Sequence, residues 1–140
     1  MLIFISLPIP SSVEVVVDTG QKEFLLVLAY LYVRYCKYDE ALIIYRGLFE
    51  FFEDDTDVLL DLIFALYVTG RAQEAVTYIE KLEGIDLPRN KEKLFFLLKS
   101  HIAWSLGRDR ESRESLIHYL GLEEQDMRVQ EVYPMASGEI

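Results

Sequence analysis

CKYDEA at residues 36–41, GRAQEA at 70–75 and GRDRES at 107–112 align without a gap. Each reads small residue, basic residue, two variable positions, Glu, small residue. Ala41 to Ala75 is 34 residues and Ala75 to Ser112 is 37, the extra three falling near Pro88-Arg89-Asn90, which reads as a loop. A period in the mid-thirties marks one supersecondary unit used repeatedly, each unit burying its apolar face only by stacking on its neighbours. Around these strings apolar residues recur at helical spacing, as in Leu25, Leu28, Ala29 and Tyr32. The pattern predicts six helices, near 22–35, 38–52, 56–69, 72–83, 91–106 and 109–121. Gly70 and Gly107 share one slot, the turn inside each helix pair, where a helix C-terminus favours left-handed backbone. Cys36 holds that slot in the first pair, which points to a tight turn rather than a nucleophile. Gly84 and Gly121 share another slot, read as the end of each second helix.

Composition narrows the function classes. The chain has 140 residues and 16.3 kDa, room for one domain with a real core. A hydrophobic fraction of 51% with 13% aromatic residues excludes disorder over most of it. Twenty-four acidic residues against 14 basic ones give a net charge of -10. That balance opposes nucleic-acid binding and repels anionic membrane surfaces. A single cysteine forms no internal disulfide and fits a reducing compartment. The opening MLIFISLPIP holds no Lys or Arg and is broken by Pro8 and Pro10. It lacks the basic region of a secretory signal and falls far short of the ~20 apolar residues of a membrane span. It reads as an extended apolar arm, or as a start codon assigned too early.

The repeat resembles the tetratricopeptide family. With residues 22, 56 and 93 at the first repeat position, the eighth slot holds Ala29, Ile63 and Ser100, and the eleventh Tyr32, Leu66 and Ala103. The twentieth, where the two helices cross, holds Ala41, Ala75 and Ser112; the twenty-fourth holds Tyr45, Ile79 and Leu116. The chain departs from the family in lacking Trp at the fourth slot and Pro at the thirty-second, and in placing Lys99 where a core Leu usually sits. The resemblance implies an all-α chain: three tandem helix-turn-helix repeats, about 22–55, 56–92 and 93–123, in a short superhelical stack over 21–122. Residues 1–20 are expected to form an N-terminal apolar arm without helix, and 124–140 an acidic, disordered tail.

No chemistry-bearing motif stands out. There is no GxGxxG, P-loop, GxSxG or HExxH, so neither an enzyme nor a cofactor is expected. Glu53-Asp54-Asp55-Thr56-Asp57 fails as a calcium loop, because Leu59 and Leu60 occupy the fifth-ligand and glycine positions; it reads as a helix cap. His101 and His118 lack metal spacing, and no metal site is expected.

The resemblance also puts the first helices on an inner wall. There it collects Leu26, Tyr30 and Val33; then Leu60, Phe64 and Tyr67; then Leu94, Leu97, His101 and Trp104. An apolar, aromatic wall on an acidic protein is a candidate partner-binding groove. The alternative is a core filled by the chain's own arm. No cationic clamp for a C-terminal carboxylate can be built from these residues.

Gln21-Lys22-Glu23-Phe24-Leu25-Leu26 followed by CKYDEALIIY is similar to the small repeat-type chaperones of bacterial type III secretion, in particular the chaperone of an early exported component. That resemblance implies a cytoplasmic, ATP-independent holdase that keeps one secreted protein of the type III system soluble until export. An apolar groove without a strongly polar terminal cap predicts that the chain alone self-associates as a homodimer or traps its own arm, and becomes one-to-one with its ligand. Neither nucleic acid nor membrane insertion enters. A scaffold module joining proteins, and a non-catalytic subunit of an enzyme complex, are the readings it competes with.

Overall fold

The computed structural model describes residues 2–3, 15–16 and 18–132, with side chains over 18–130. Among them are six helices: α1 (Thr19–Arg34), α2 (Tyr38–Phe51), α3 (Thr56–Val68), α4 (Ala72–Leu82), α5 (Arg89–Ser105) and α6 (Asp109–Val132). Two short strands, β1 (Leu2–Ile3) and β2 (Val15–Val16), pair antiparallel, Leu2 with Val16 and Ile3 with Val15. The chain is all-α apart from that ladder. The backbone of β1 approaches α2. The rest of the expected arm before Asp18, and residues 133–140 of the expected tail, lie outside the described residues.

The chain divides into two compact units, Met1–Ile85 and Asp86–Ile140. The first holds the α1/α2 and α3/α4 hairpins, the second the α5/α6 hairpin. All three hairpins turn by the same device. Cys36, Gly70 and Gly107 adopt positive φ of 60°, 79° and 75°. The next residue's N–H then reaches back to the helix: Lys37 to the Tyr32 carbonyl (2.7 Å), Arg71 to Leu66 (2.8 Å), Arg108 to Ala103 (2.8 Å). The N–H of the positive-φ residue itself bonds three residues back, to Val33, Tyr67 and Trp104. This is the Schellman closure, which satisfies carbonyls that a helix end leaves open. Cys36 thus occupies a turn position, as its alignment with two glycines predicts.

Just past each turn the helices cross closely. Ala29 with Ala41 and Ile63 with Ala75 are wholly buried. In the third hairpin Ser100 and Ser112 take these places and solve the polarity problem reciprocally. Ser100 Oγ donates to the Ser112 carbonyl (3.0 Å) and Ser112 Oγ to the Ser100 carbonyl (2.9 Å).

In the first unit, α3 packs on both α2 and α4. Val58, Leu59, Leu62, Ile63 and Leu66 are almost fully buried there, each contributing on the order of 1.5–3 kcal/mol of burial. The second helices α2 and α4 are joined by Arg46–Glu74 (2.9 Å) and by Phe49 set edge-on to Tyr78 (5.1 Å) with Lys81 over the Phe49 ring. Tyr45 is buried on the side of α2 that meets α3. Burial, and then the Asp61 carboxylate on α3, push its phenol well above the ordinary range.

Three sequence expectations change. Helix α1 starts at Thr19, three residues earlier than expected and inside the stretch expected to lack helix, because Asp18 caps it: Asp18 Oδ1 accepts from Gln21 N (2.8 Å) while Gln21 Oε1 accepts from Asp18 N (3.0 Å), a capping box. Helix α6 does not stop near 121, and Gly121 lies inside it rather than at its end. Residues 124–132, expected to be disordered, are helical. The physical reason lies on α5: Lys93 bonds Glu123 (2.6 Å) and Asp126 (2.9 Å), and Arg89 reaches Asp126 (3.6 Å). These cations hold the acidic extension along α5, and Leu122 is buried beneath it. Leu116 is exposed, at a slot that is buried in the other two repeats, where Tyr45 and Ile79 sit.

Candidate functional site

The expected wall residues are six in the first unit and four in the second. On α1 and α3, the N-termini of the two first helices are tied together by Lys22, whose ammonium pairs with Asp55 and lies over the Phe52 ring (5.2 Å). Asp55 is the N-cap of α3, accepting from the amides of Asp57 (3.0 Å) and Val58 (3.3 Å). The acidic cluster therefore works as a cap. Burial alone would raise the Asp55 carboxyl, but the Lys22 hydrogen bond and the Val58 amide outweigh it and hold the group below the usual carboxylate range.

With α1 and α3 so joined, Tyr30 is 54% exposed and Phe64 39% exposed, while Leu26, Val33 and Tyr67 are half-buried. Leu60 is not part of a binding surface. It is 3% exposed and belongs to the core, because α3 lies between two packed neighbours and buries apolar positions round most of its circumference. In the first unit two aromatic rings, Tyr30 on α1 and Phe64 on α3, are thus open to solvent, while Leu26 and Val33 on α1 are half-buried. Phe64 is the one large apolar residue that α3 leaves exposed, on a helix whose other apolar side chains are at least partly covered.

In the second unit, Leu94, Leu97, His101 and Trp104 follow one another at three- and four-residue spacing along α5, the spacing of one helix face. Leu94 and His101 are exposed, Leu97 is half-buried, and Trp104 stands 67% exposed. The core side of the same helix is Phe95, Leu98 and Ile102. His118, on α6, stacks on Phe96 (3.9 Å between centroids) with its Nε2 3.5 Å from Glu92. It is a packing residue between α5 and α6.

The reactive groups do not converge. Cys36 is exposed at its turn, with the Tyr38 hydroxyl donating to Sγ (3.6 Å). The hydrogen bond to Cys36 raises the Tyr38 phenol from its ordinary value. Among the described residues no group of three His, Cys, Asp or Glu side chains is placed to hold a metal ion. No described helix is long and apolar enough to cross a membrane.

What the sequence reading missed is on the far side of α1 and along α6. Phe24, Val27, Leu31 and Tyr35 are exposed, as are Ile117, Leu120 and Met127. The signal was present: α1 is apolar round its whole circumference, and such a helix is covered on more than one side. No protein-family model matches this chain, and no curated protein matches it.

Proposed function

We propose that this protein is a partner-binding module of tetratricopeptide type, and that it acts as a cytoplasmic type III secretion chaperone holding one exported protein on the apolar faces of its first helices. The observation that carries the reading is the exposure of Tyr30, Phe64 and Trp104. Three aromatic side chains, each from the first helix of a hairpin, stand open on a strongly acidic chain. Leaving large rings in water costs free energy that a ligand recovers, and aromatic anchors dominate binding hot spots. Three hairpins closed by one turn motif, with small residues at each crossing, support the repeat reading. The secretion role rests on the resemblance of residues 21–26 and 36–45. A chaperone of this kind needs no catalytic group; it shields apolar segments of its cargo, which enter as an extended strand or an amphipathic helix.

The test is affinity purification from cells that express the surrounding genes, with the co-eluting chain identified and its stoichiometry measured. The chaperone reading expects a one-to-one complex with a chain that aggregates when expressed by itself, lost on Phe64→Ala or Trp104→Ala. Two folded partners held at once would instead establish a scaffold module. Variants that fold and keep the partner would place binding on another face.

A further inference from the structure

Helix α1 is apolar on two sides. One side carries Ala29 into the core. The other presents Phe24, Val27, Leu31 and, at the C-cap, Tyr35, all between 45% and 76% exposed. Their three- and four-residue spacing makes one stripe about 17 Å long. At its C-terminal end the stripe opens into a shallow groove of about 460 Å³, where Leu28 and Tyr32 join Leu31 and Tyr35, and Lys37 completes the lining.

Two cations stand at this end without a counter-ion. Residues 18–85 hold six bases. Lys22 pairs with Asp55, Arg46 with Glu74 and Arg71 with Asp39, and Lys81 lies over the Phe49 ring. Arg34 and Lys37 are exposed and have no such partner among the described residues. Arg34 lies three residues from Leu31 and seven from Val27, on the flank of the stripe. Lys37 holds the repeat slot of Arg71. Arg71 reaches back to an acid of the preceding hairpin, Asp39 (3.9 Å); no described helix precedes α1 to offer Lys37 one. Lys37 also stands at the N-terminal end of α2, where the helix dipole disfavours a cation. We propose that the outer face of α1 binds a short acidic amphipathic segment of a partner protein. Its apolar side chains lie on Phe24, Val27 and Leu31 and in the groove, and its carboxylates meet Arg34 and Lys37.

Charge selects this occupant. From Phe24 to Tyr38 the chain has those two cations and no acid, whereas its net charge is -10. A segment rich in carboxylates is repelled by most of the surface and accepted here, so the rest of the molecule supplies the discrimination. At physiological ionic strength the distant acids are screened beyond about 8 Å, and the local pair of cations decides. An anionic membrane, being extended, meets the whole acidic surface and gains no such shelter. The stripe is about three helical turns long, and its four side chains expose roughly 450 Å² of apolar surface. Covered by a partner of equal area it would account for about 900 Å² in total, at the small end of interfaces, which fits a weak and reversible contact. The surface lies on a different side of α1 from Tyr30 and excludes Phe64, so it stands apart from the wall and does not depend on it.

Fluorescence anisotropy on the full chain tests this, with two labelled synthetic helical peptides of about 14 residues, long enough to cover the stripe. Both carry Leu and Phe along one face; the flanks are Glu in one and Lys in the other. The Glu peptide should bind with a Kd on the order of 10–100 µM, and the Lys peptide at least about tenfold more weakly. Arg34→Glu combined with Lys37→Glu should invert that preference. Leu31→Asp should abolish binding of the Glu peptide with helix content unchanged by circular dichroism, and Phe64→Ala should leave it intact. A paramagnetic label on the native Cys36, next in sequence to Tyr35 and Lys37, should broaden the proton signals of the bound Glu peptide. Failure of the Glu peptide to bind overturns the inference, and a concentration-dependent dimer lost on Leu31→Asp would then make a second copy the occupant. Equal binding of the two peptides overturns it, as does Glu-peptide binding that survives the double charge reversal. Glu-peptide binding kept in Leu31→Asp but lost in Phe64→Ala would place the contact on the wall. Co-sedimentation with phosphatidylserine vesicles by a chain that ignores the Glu peptide would make the stripe a lipid-facing surface instead.

Discussion

Replacing Cys36 by glycine should stabilise the protein. Cys36 is the sole described residue other than glycine at positive φ, at 60°. A side chain in that region costs roughly 1–2 kcal/mol through the clash of Cβ with the backbone. Glycine removes that cost but gives back about 0.5–1 kcal/mol, because its unfolded chain is freer. The expected net gain for Cys36→Gly is therefore about 0.5–1 kcal/mol, or on the order of 3 °C in Tm for a chain of this length. The lost Tyr38 hydroxyl contact is on the surface at 3.6 Å and subtracts little. The reverse changes should mirror the gain. A Cβ added at Gly70 or Gly107 meets nothing within 4 Å, so the whole cost of Gly70→Ala or Gly107→Ala comes from φ values of 79° and 75°. Each should destabilise by about 1 kcal/mol. Urea denaturation followed by circular dichroism measures all three, and Cys36→Ala separates the thiol from the backbone, since it keeps the Cβ. If Cys36→Ala stabilises as much as Cys36→Gly, or if Cys36→Gly is destabilising, the equivalence of the three turns is wrong.

Asp55→Asn keeps the cap oxygen of α3 and loses only the charge that faces Lys22, so it should cost about 0.5–1 kcal/mol at neutral pH, with Asp55→Ala costing ~1 kcal/mol more. The folded carboxyl lies below its unfolded value of 3.8, so its contribution is complete above that pH and is lost as pH falls through the folded pKa; acid titration of stability should be less steep in Asp55→Asn, and parallel curves for the two proteins would disprove the coupling. Lys93→Met should release the C-terminal part of α6, with amide exchange over 124–130 rising toward the solvent rate while α5 stays protected; unchanged protection would mean that the carboxylates of Glu123 and Asp126 do not depend on Lys93. Trp104→Ala and Phe64→Ala should retain helical content by circular dichroism, because both rings are open to solvent. Asp39→Ala, which removes an exposed contact 3.9 Å from Arg71, should change neither stability nor partner binding by more than about 0.5 kcal/mol.

The helices were legible because two local signals agreed. Apolar spacing gave the elements, and the aligned small residues at 36, 70 and 107 gave the turns. Their closures depend on residues within six positions of one another, so a linear reading captures them. Asp18-Thr19-Gly20-Gln21 carries a capping-box pattern that is equally local, since both of its hydrogen bonds join residues three apart. The extension of α6 was not legible in that way. Glu123-Glu124-Gln125-Asp126 has the composition of a tail, and only the return of α5 alongside brings Lys93, thirty-three positions away from Asp126, into range. The wall residues were legible by slot except where depth decides the outcome: Leu60 and Phe64 are both apolar and four apart on α3, yet the packing of α2 and α4 leaves one in the core and the other open.

The serine pair in the third hairpin acts as a keyed joint. Alanine against alanine, as between α1 and α2, lets two helices approach but accepts neighbouring registers almost equally well. Two buried hydroxyls that each need the other residue's carbonyl accept one. Sliding α6 by a turn along α5 would leave both hydroxyls without partners, at roughly 1–3 kcal/mol each. Replacing both by alanine, in contrast, can be close to neutral. The pair therefore adds little depth to the native state and a good deal of penalty to its nearest competitors. It fixes which residues of α6 come opposite Arg89 and Lys93, and so where the acidic extension finds its cations.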